Sequence, residues 1–219
     1  MKKILLSAIL IVFATFAAQA ESRMGIKISN ASMEATGTSQ TDAGATVNHS
    51  DDASFAIPAF FIEKDIEAGN FTMALGLDVI PFSTEIDKLD GGDGFDATIS
   101  VGNLITAYIQ PTFNNGGPLS FFVKAGYADA SLEVTDISRQ ATASAVSATD
   151  PASTDGEQDK GLNGTMYGAG LQYDTDSGFI RLEGTVTDFD EITHTNSNSK
   201  ELKAESELTL ISLSFGKTF

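Results

Sequence analysis

The stretch Ile211-Ser212-Leu213-Ser214-Phe215-Gly216-Lys217-Thr218-Phe219 sets Ile211, Leu213, Phe215 and Phe219 on one parity and Ser212, Ser214, Gly216 and Thr218 on the other. In an extended strand successive side chains leave opposite faces, so this segment has one greasy face and one small, polar face.

The same period of two recurs upstream. Phe71, Met73, Leu75, Leu77 and Val79 oppose Thr72, Ala74, Gly76 and Asp78, and Ile105, Ala107, Ile109 and Phe113 oppose Thr106, Tyr108, Gln110 and Thr112. Phe121, Val123, Ala125 and Tyr127 oppose Phe122, Lys124, Gly126 and Ala128, while Tyr167, Ala169, Leu171 and Tyr173 oppose Met166, Gly168, Gly170 and Gln172. Ile180, Leu182, Gly184 and Val186 oppose Arg181, Glu183, Thr185 and Thr187, and Met24, Ile26 and Ile28 oppose Gly25, Lys27 and Ser29. Phe55 to Ile62 departs from the pattern: it is apolar on both faces and contains Pro58, which cannot donate to a ladder. Together these segments predict eight strands, over 23–34, 53–64, 69–80, 96–113, 119–135, 162–174, 178–190 and 206–219.

Short links rich in Asn, Asp and Gly lie at 65–70, 114–118 and 174–178, where those residues supply turn geometry. Long polar links lie at 35–52, 81–95, 136–161 and 191–205. Short and long links in strict alternation are what an even-stranded membrane barrel requires when both termini lie on its periplasmic side.

The start of the chain supplies the compartment. Lys2 and Lys3 precede an uncharged apolar stretch from Ile4 to Ala18, and Ala18-Gln19-Ala20 has the small-residue form of a cleavage signal. Residues 1–20 therefore read as a secretory signal peptide and 21–219 as one mature domain. Cleavage removes two lysines and no acids, taking the formal net charge from −17 to −19. Nucleic acid is excluded as a partner, since phosphate binding needs clustered Lys and Arg. With no Cys, an exported chain has no disulfide framework and rests on backbone pairing and packing. The mature sequence has no apolar run long enough for a transmembrane helix, which leaves a closed barrel as the membrane-compatible structure.

On that geometry Lys27, Asp78, Lys124, Arg181 and Glu183 face a narrow interior among Ser, Thr, Gln and Gly. Opposite charges there predict a self-neutralising network, because an unpaired buried charge is strongly unfavourable. The outward Phe, Leu, Ile and Val form a lipid-facing band. Tyr127, Tyr167, Tyr173, Phe113, Phe179, Phe189 and Phe219 lie near strand ends, where aromatic girdles sit.

The segment Leu213-Ser214-Phe215-Gly216-Lys217-Thr218-Phe219 resembles the C-terminal signal of bacterial outer-membrane barrels. Tyr167-Gly168-Ala169-Gly170-Leu171-Gln172-Tyr173, followed by Ile180 to Phe189, is similar to the penultimate strands of the OmpA-like and opacity-protein barrel domains. Phe121 to Tyr127 resembles an earlier strand of the same group. The resemblance implies an eight-stranded antiparallel up-and-down barrel in the outer membrane. It also implies contact with lipid and lipopolysaccharide, and recognition of Leu213, Phe215 and Phe219 by the barrel-assembly machinery. Members of this group serve as structural proteins, adhesins, small channels and surface antigens.

Catalysis needs a positioned base beside a nucleophile or a water. His49 and His194, the two histidines, fall in long links without an evident partner, so no enzymatic activity is expected. Asp87, Asp90, Asp93 and Asp96 cluster with Gly91, Gly92 and Gly94, a composition suited to a hard cation such as calcium but without the EF-hand spacing. No phosphate-cradling loop or zinc pattern is present, and no cofactor is expected. The leading expectation is a structural, surface-interacting outer-membrane barrel displaying four acidic loops to an unidentified extracellular ligand. A narrow porin-like channel and a soluble lipocalin-like barrel with its apolar faces turned inward remain open.

Overall fold

The computed structural model describes residues 21–40, 46–68, 71–81, 84–91, 95–114, 116–139, 158–195 and 201–219; the proposed signal peptide lies outside them. They form β1 (Ser22–Gln40), β2 (Thr46–Ala68), β3 (Phe71–Ile80), β4 (Thr84–Gly91), β5 (Phe95–Asn114), β6 (Leu119–Arg139), β7 (Gln158–Thr175), β8 (Gly178–Thr195) and β9 (Glu201–Thr218). All pairings are antiparallel. β3 and β4 pair with successive lengths of β5, from Phe113 to Leu104 and from Val101 to Phe95, so they are two lengths of one wall strand. The sheet is therefore an eight-stranded barrel, closed where β1 meets β9. The seam is bonded to its end: Ser22 N–H donates to the Phe219 carbonyl at 3.1 Å, and Phe219 N–H donates to the Ser22 carbonyl at 2.8 Å. Closure leaves no open edge in hydrocarbon, where each unpaired backbone group costs several kcal/mol.

The pairing register fixes the width of the barrel. A walk across directly opposed residues runs from Asp52 to Glu34, Glu207, Asp188 and Thr165. It continues through Tyr127, Ala107 and Leu77 and returns to β2 at Ile62, ten residues from its start. Eight strands with that stagger tilt by about 40° and enclose a backbone cylinder of roughly 8 Å radius. Side chains fill such an interior.

Alternation places the faces as expected. Ile26, Leu182, Ile211 and Leu213 are 51, 54, 62 and 43% exposed on the outside, whereas Lys27, Lys124, Arg181 and Glu183 are at most 4% exposed inside. The lipocalin-like arrangement of faces is thereby reversed. β2, apolar on both sides, crosses Pro58 without a break; Phe60 and Ile62 point outward while Ile57, Ala59 and Phe61 point inward. At about 2.5 Å of height per residue, the outward apolar run spans roughly 20 Å from Phe113 to Ile105 and, above Lys64, roughly 15 Å from Ile62 to Ala56, against a usual band of about 25 Å.

Three expectations need correction. The strands outrun their alternating cores: β1 reaches Gln40, β6 reaches Arg139, β7 starts at Gln158 and β9 at Glu201. Backbone pairing alone extends them, since beyond the bilayer neither face must be apolar. His49 and His194 accordingly lie within β2 and β8 rather than in loops. The expected 81–95 link contains β4, with Asp87 and Asp90 on it and Asp96 directly opposite Asp90 on β5; Asp93 and the side chains of the other three lie outside the described residues. Phe179 and Phe189 share the inward parity of Arg181 and are 3 and 6% exposed, so they belong to the interior and not to a girdle.

Candidate functional site

The distinctive chemistry of the described residues is inside the barrel. Four cations, Arg23, Lys27, Lys124 and Arg181, meet four carboxylates, Glu63, Asp65, Asp78 and Glu183. The sequence placed five of these eight in the lumen: Lys27, Asp78, Lys124, Arg181 and Glu183. Their partners Arg23, Glu63 and Asp65 were not anticipated; parity with Lys27 along β1 assigns Arg23, whereas β2 offers no polar face that would assign the other two.

The network has two parts. Toward the short turns, Arg181 Nη1 donates to Glu63 Oε1 at 2.7 Å and Nη2 to Oε2 at 2.9 Å, a two-pronged bond across the lumen. Arg23 lies 3.3 Å from the same carboxylate and donates to Asp65 Oδ1 at 2.5 Å. Gln172 Oε1 accepts from both guanidinium groups, and the Tyr108 hydroxyl donates to Glu63 Oε1 at 2.8 Å. In the second part, Lys27 donates to Asp78 Oδ2 at 2.7 Å and pairs with Glu183, whose Oε2 accepts from Lys124 at 2.9 Å. The Lys124 ammonium lies 4.0 Å from the centre of the Tyr108 ring and joins the two parts. Equal numbers of opposite charges, each paired with at least one of the other sign, let this set remain buried.

Four inward aromatic rings brace the cations. Phe61 is directly opposite Gly25, Tyr108 opposite Gly76, Phe122 opposite Gly170 and Phe179 opposite Gly216. A side chain on any of these glycines would collide with the facing ring, so the missing Cβ is what lets each ring lie flat across its neighbour. Each aromatic–glycine pair belongs to two wall strands joined at the long-connection end, and together they use all eight. The Arg181 guanidinium sits 5.0 to 5.2 Å from the centres of Phe61, Phe122 and Phe179.

Above this ionic layer the interior becomes apolar. Met33, Ile57, Ile80, Leu104, Leu162, Phe189, Leu208 and Leu210 pack with inward alanines into one buried cluster, and Phe55 rests on it. The lumen is thus a charged floor under an apolar plug. At the opposite, short-turn end a polar mouth of about 370 Å³ opens beside Arg23, Asp65, Gln172, Asp174 and Lys217.

A closed eight-stranded antiparallel wall with an outward apolar band is now established. The fold is that of a small outer-membrane β-barrel. The solved structure of the outer membrane protein OprG from Pseudomonas aeruginosa matches 89% of this chain and 96% of its own at a TM-score of 0.50 with 13% identity. Neisserial surface protein A matches 89% of this chain and 97% of its own at 0.46 and 11%, and Ail of Yersinia pestis matches 90% and 99% at 0.42 and 10%. No known protein family matches the sequence, and neither does any curated protein.

The outside of this barrel is electrically asymmetric. Asp52, Glu34, Glu207 and Asp188 stand directly opposite one another across β2, β1, β9 and β8, on the outward parity above the apolar band. Lys217 is exposed at the outward position near the other end of β9, whereas Lys64 shares the outward parity of β2 but is buried, its ammonium donating to Ser22 Oγ at 3.1 Å. No group of three or more His, Cys, Asp or Glu able to hold a metal occurs among the described residues.

Proposed function

We propose that this chain is exported by its N-terminal signal, cleaved after Ala20, and inserted in the outer membrane as a non-enzymatic structural barrel. It presents the four long connections and their acidic strand ends to the exterior. The filled lumen carries this proposal: a paired ionic layer under a packed apolar layer leaves no continuous aqueous path through the described interior. A channel would need both layers to part. Carboxylate rows at the outward rim suit contact with an outer leaflet whose phosphates are already screened by divalent cations. Leu213 and Phe215, 43 and 45% exposed on β9, and Phe219 beside the seam are positions open to the assembly machinery.

Envelope fractionation with heat-modifiable gel migration tests the placement: a folded, detergent-resistant band in the outer-membrane fraction is expected, and its recovery in the soluble periplasm overturns it. Planar-bilayer recording tests the role. A baseline without discrete steps is expected, and large, stable steps of uniform size would replace the structural role with a channel.

A further inference from the structure

An apolar groove of about 390 Å³ runs over the outer face of β1, β2 and β3. Its walls are two cross-strand rows, Met24–Ile62–Leu77 and Ile26–Phe60–Val79. Both rows continue onto β9, where Lys217 is directly opposite Met24 and Phe215 is opposite Ile26. Between them the inward row runs from Phe61 through Gly25 to Gly216, and Lys217 stands directly opposite Met24, just beyond the β1 edge of the groove. With the strand tilt and stagger described above, each step from β3 toward β9 descends about 3 Å toward the short-turn end. Lys217 therefore lies at the foot of the trough, at the membrane boundary, while the Leu77 and Val79 walls lie deeper in the band.

We propose that this trough seats one acyl chain of an anionic diacyl phospholipid of the periplasmic leaflet, with the lipid phosphate at the Lys217 ammonium. The inference rests on the outer-membrane placement above. Charge complementarity selects the occupant. At the short-turn end of β2, β1 and β9 the exposed outward side-chain charge is Lys217, while Lys64 on β2 is buried with its ammonium donating to Ser22 Oγ at 3.1 Å. The same three strands carry Asp52, Glu34 and Glu207 at their far end. A phosphate on this trough is attracted at its foot and repelled above. Lys217 is exposed, and its ammonium lies 5.4 Å from the centre of the Phe219 ring, which holds it at the boundary.

Native mass spectrometry of the folded barrel, released from micelles doped with phosphatidylglycerol or phosphatidylcholine of matched chains, tests this. Wild type should retain one phosphatidylglycerol in preference to phosphatidylcholine by about fivefold, the worth of one cation near an anionic surface. Lys217→Glu should abolish the preference, Lys217→Arg should keep it, and Lys203→Gln at the far end should leave it unchanged. Ile62→Ala, which lowers a wall, should reduce retention of both lipids. Glycerol phosphate, which has the headgroup chemistry without chains, should not displace the bound lipid. Equal retention of the two lipids by wild type, or a preference that survives Lys217→Glu, overturns the proposal. Heat-modifiable migration of each variant shows separately that the barrel is folded and detergent-embedded, so failure of the placement is distinguishable from failure of the lipid site.

Discussion

Arg181 and Glu63 are joined by two parallel bonds of 2.7 and 2.9 Å across the lumen, although 118 residues separate them in the chain. Arg181 lies on β8 and Glu63 on β2, strands separated in the wall by β1 and β9, so the bond spans the cylinder rather than a ladder. Planar, bidentate geometry of this kind is specific to guanidinium and carboxylate.

Removing one partner of that pair leaves the other buried and uncompensated, a change that costs about 3–5 kcal/mol. Glu63→Gln should therefore lower the urea midpoint of the folded, heat-modifiable band markedly. The paired replacement Glu63→Leu with Arg181→Met removes both charges and should fall by less than either single change. A Glu63→Gln barrel that unfolds at the wild-type midpoint would contradict the structural weight given to the pair.

How far the interior was legible depends on what each residue needs from its neighbours. Lys27, Lys124 and Arg181 are readable as luminal because each lies on the parity opposite a row of large apolar residues: Met24, Ile26 and Ile28 for Lys27, Phe121, Val123 and Tyr127 for Lys124, and Ile180, Leu182 and Val186 for Arg181. Glu63 was missed because it follows Phe55 to Ile62, where both faces are apolar and parity gives no contrast. That ambiguity has a physical source: β2 faces lipid outside and the apolar plug inside, so no polar face marks the lumen. Which cation meets which carboxylate was not legible at all, since it depends on the ten-residue stagger of the closed wall. Phe179 was drawn to the girdle by its place near a strand end, yet parity with Arg181 already assigned it inward. The strand ends above the band escaped notice because backbone bonds hold them without any alternation to read.

Two glycines separate space from backbone. A methyl at Gly76 would strike the Tyr108 ring, whereas one at Gly184, on the outward face of β8, meets nothing within 4 Å. Gly76→Ala should destabilise by about 1–3 kcal/mol through overpacking. Gly184→Ala should stabilise by about 0.5–1 kcal/mol, because glycine in a strand loses more chain entropy on folding. Thermal melts of the two variants followed by circular dichroism should move in opposite directions; movement in the same direction would show that the rings do not rest on the glycines.

The medium outside the wall can be tested with one charge. Ile211 is 62% exposed and directly opposite Gly184, well inside the apolar band. In lipid, Ile211→Arg should cost about 2–4 kcal/mol, while on a water-exposed surface the same change stays within about 0.5 kcal/mol. Urea titration of the variant folded into phospholipid vesicles measures the difference. A negligible loss would mean that water, not hydrocarbon, covers this face.

Glu34 stands between two further carboxylates, Asp52 on β2 and Glu207 on β9, each directly opposite it on the outer face. Like charges in that position disfavour the pairing by roughly 0.2–1 kcal/mol, the more so because Glu34 has one on either side. Glu34→Gln should thus stabilise the barrel, and Glu34→Lys should do so further by turning two repulsions into attractions. Both gains should be largest in dilute buffer and shrink as salt rises, since exposed charges are screened over about 10 Å at 0.1 M ionic strength. Urea midpoints at low and high salt check the sign and its origin together. A loss on Glu34→Lys in dilute buffer would show that the three carboxylates are not neighbours on one surface, and the register that places them there would have to be redrawn.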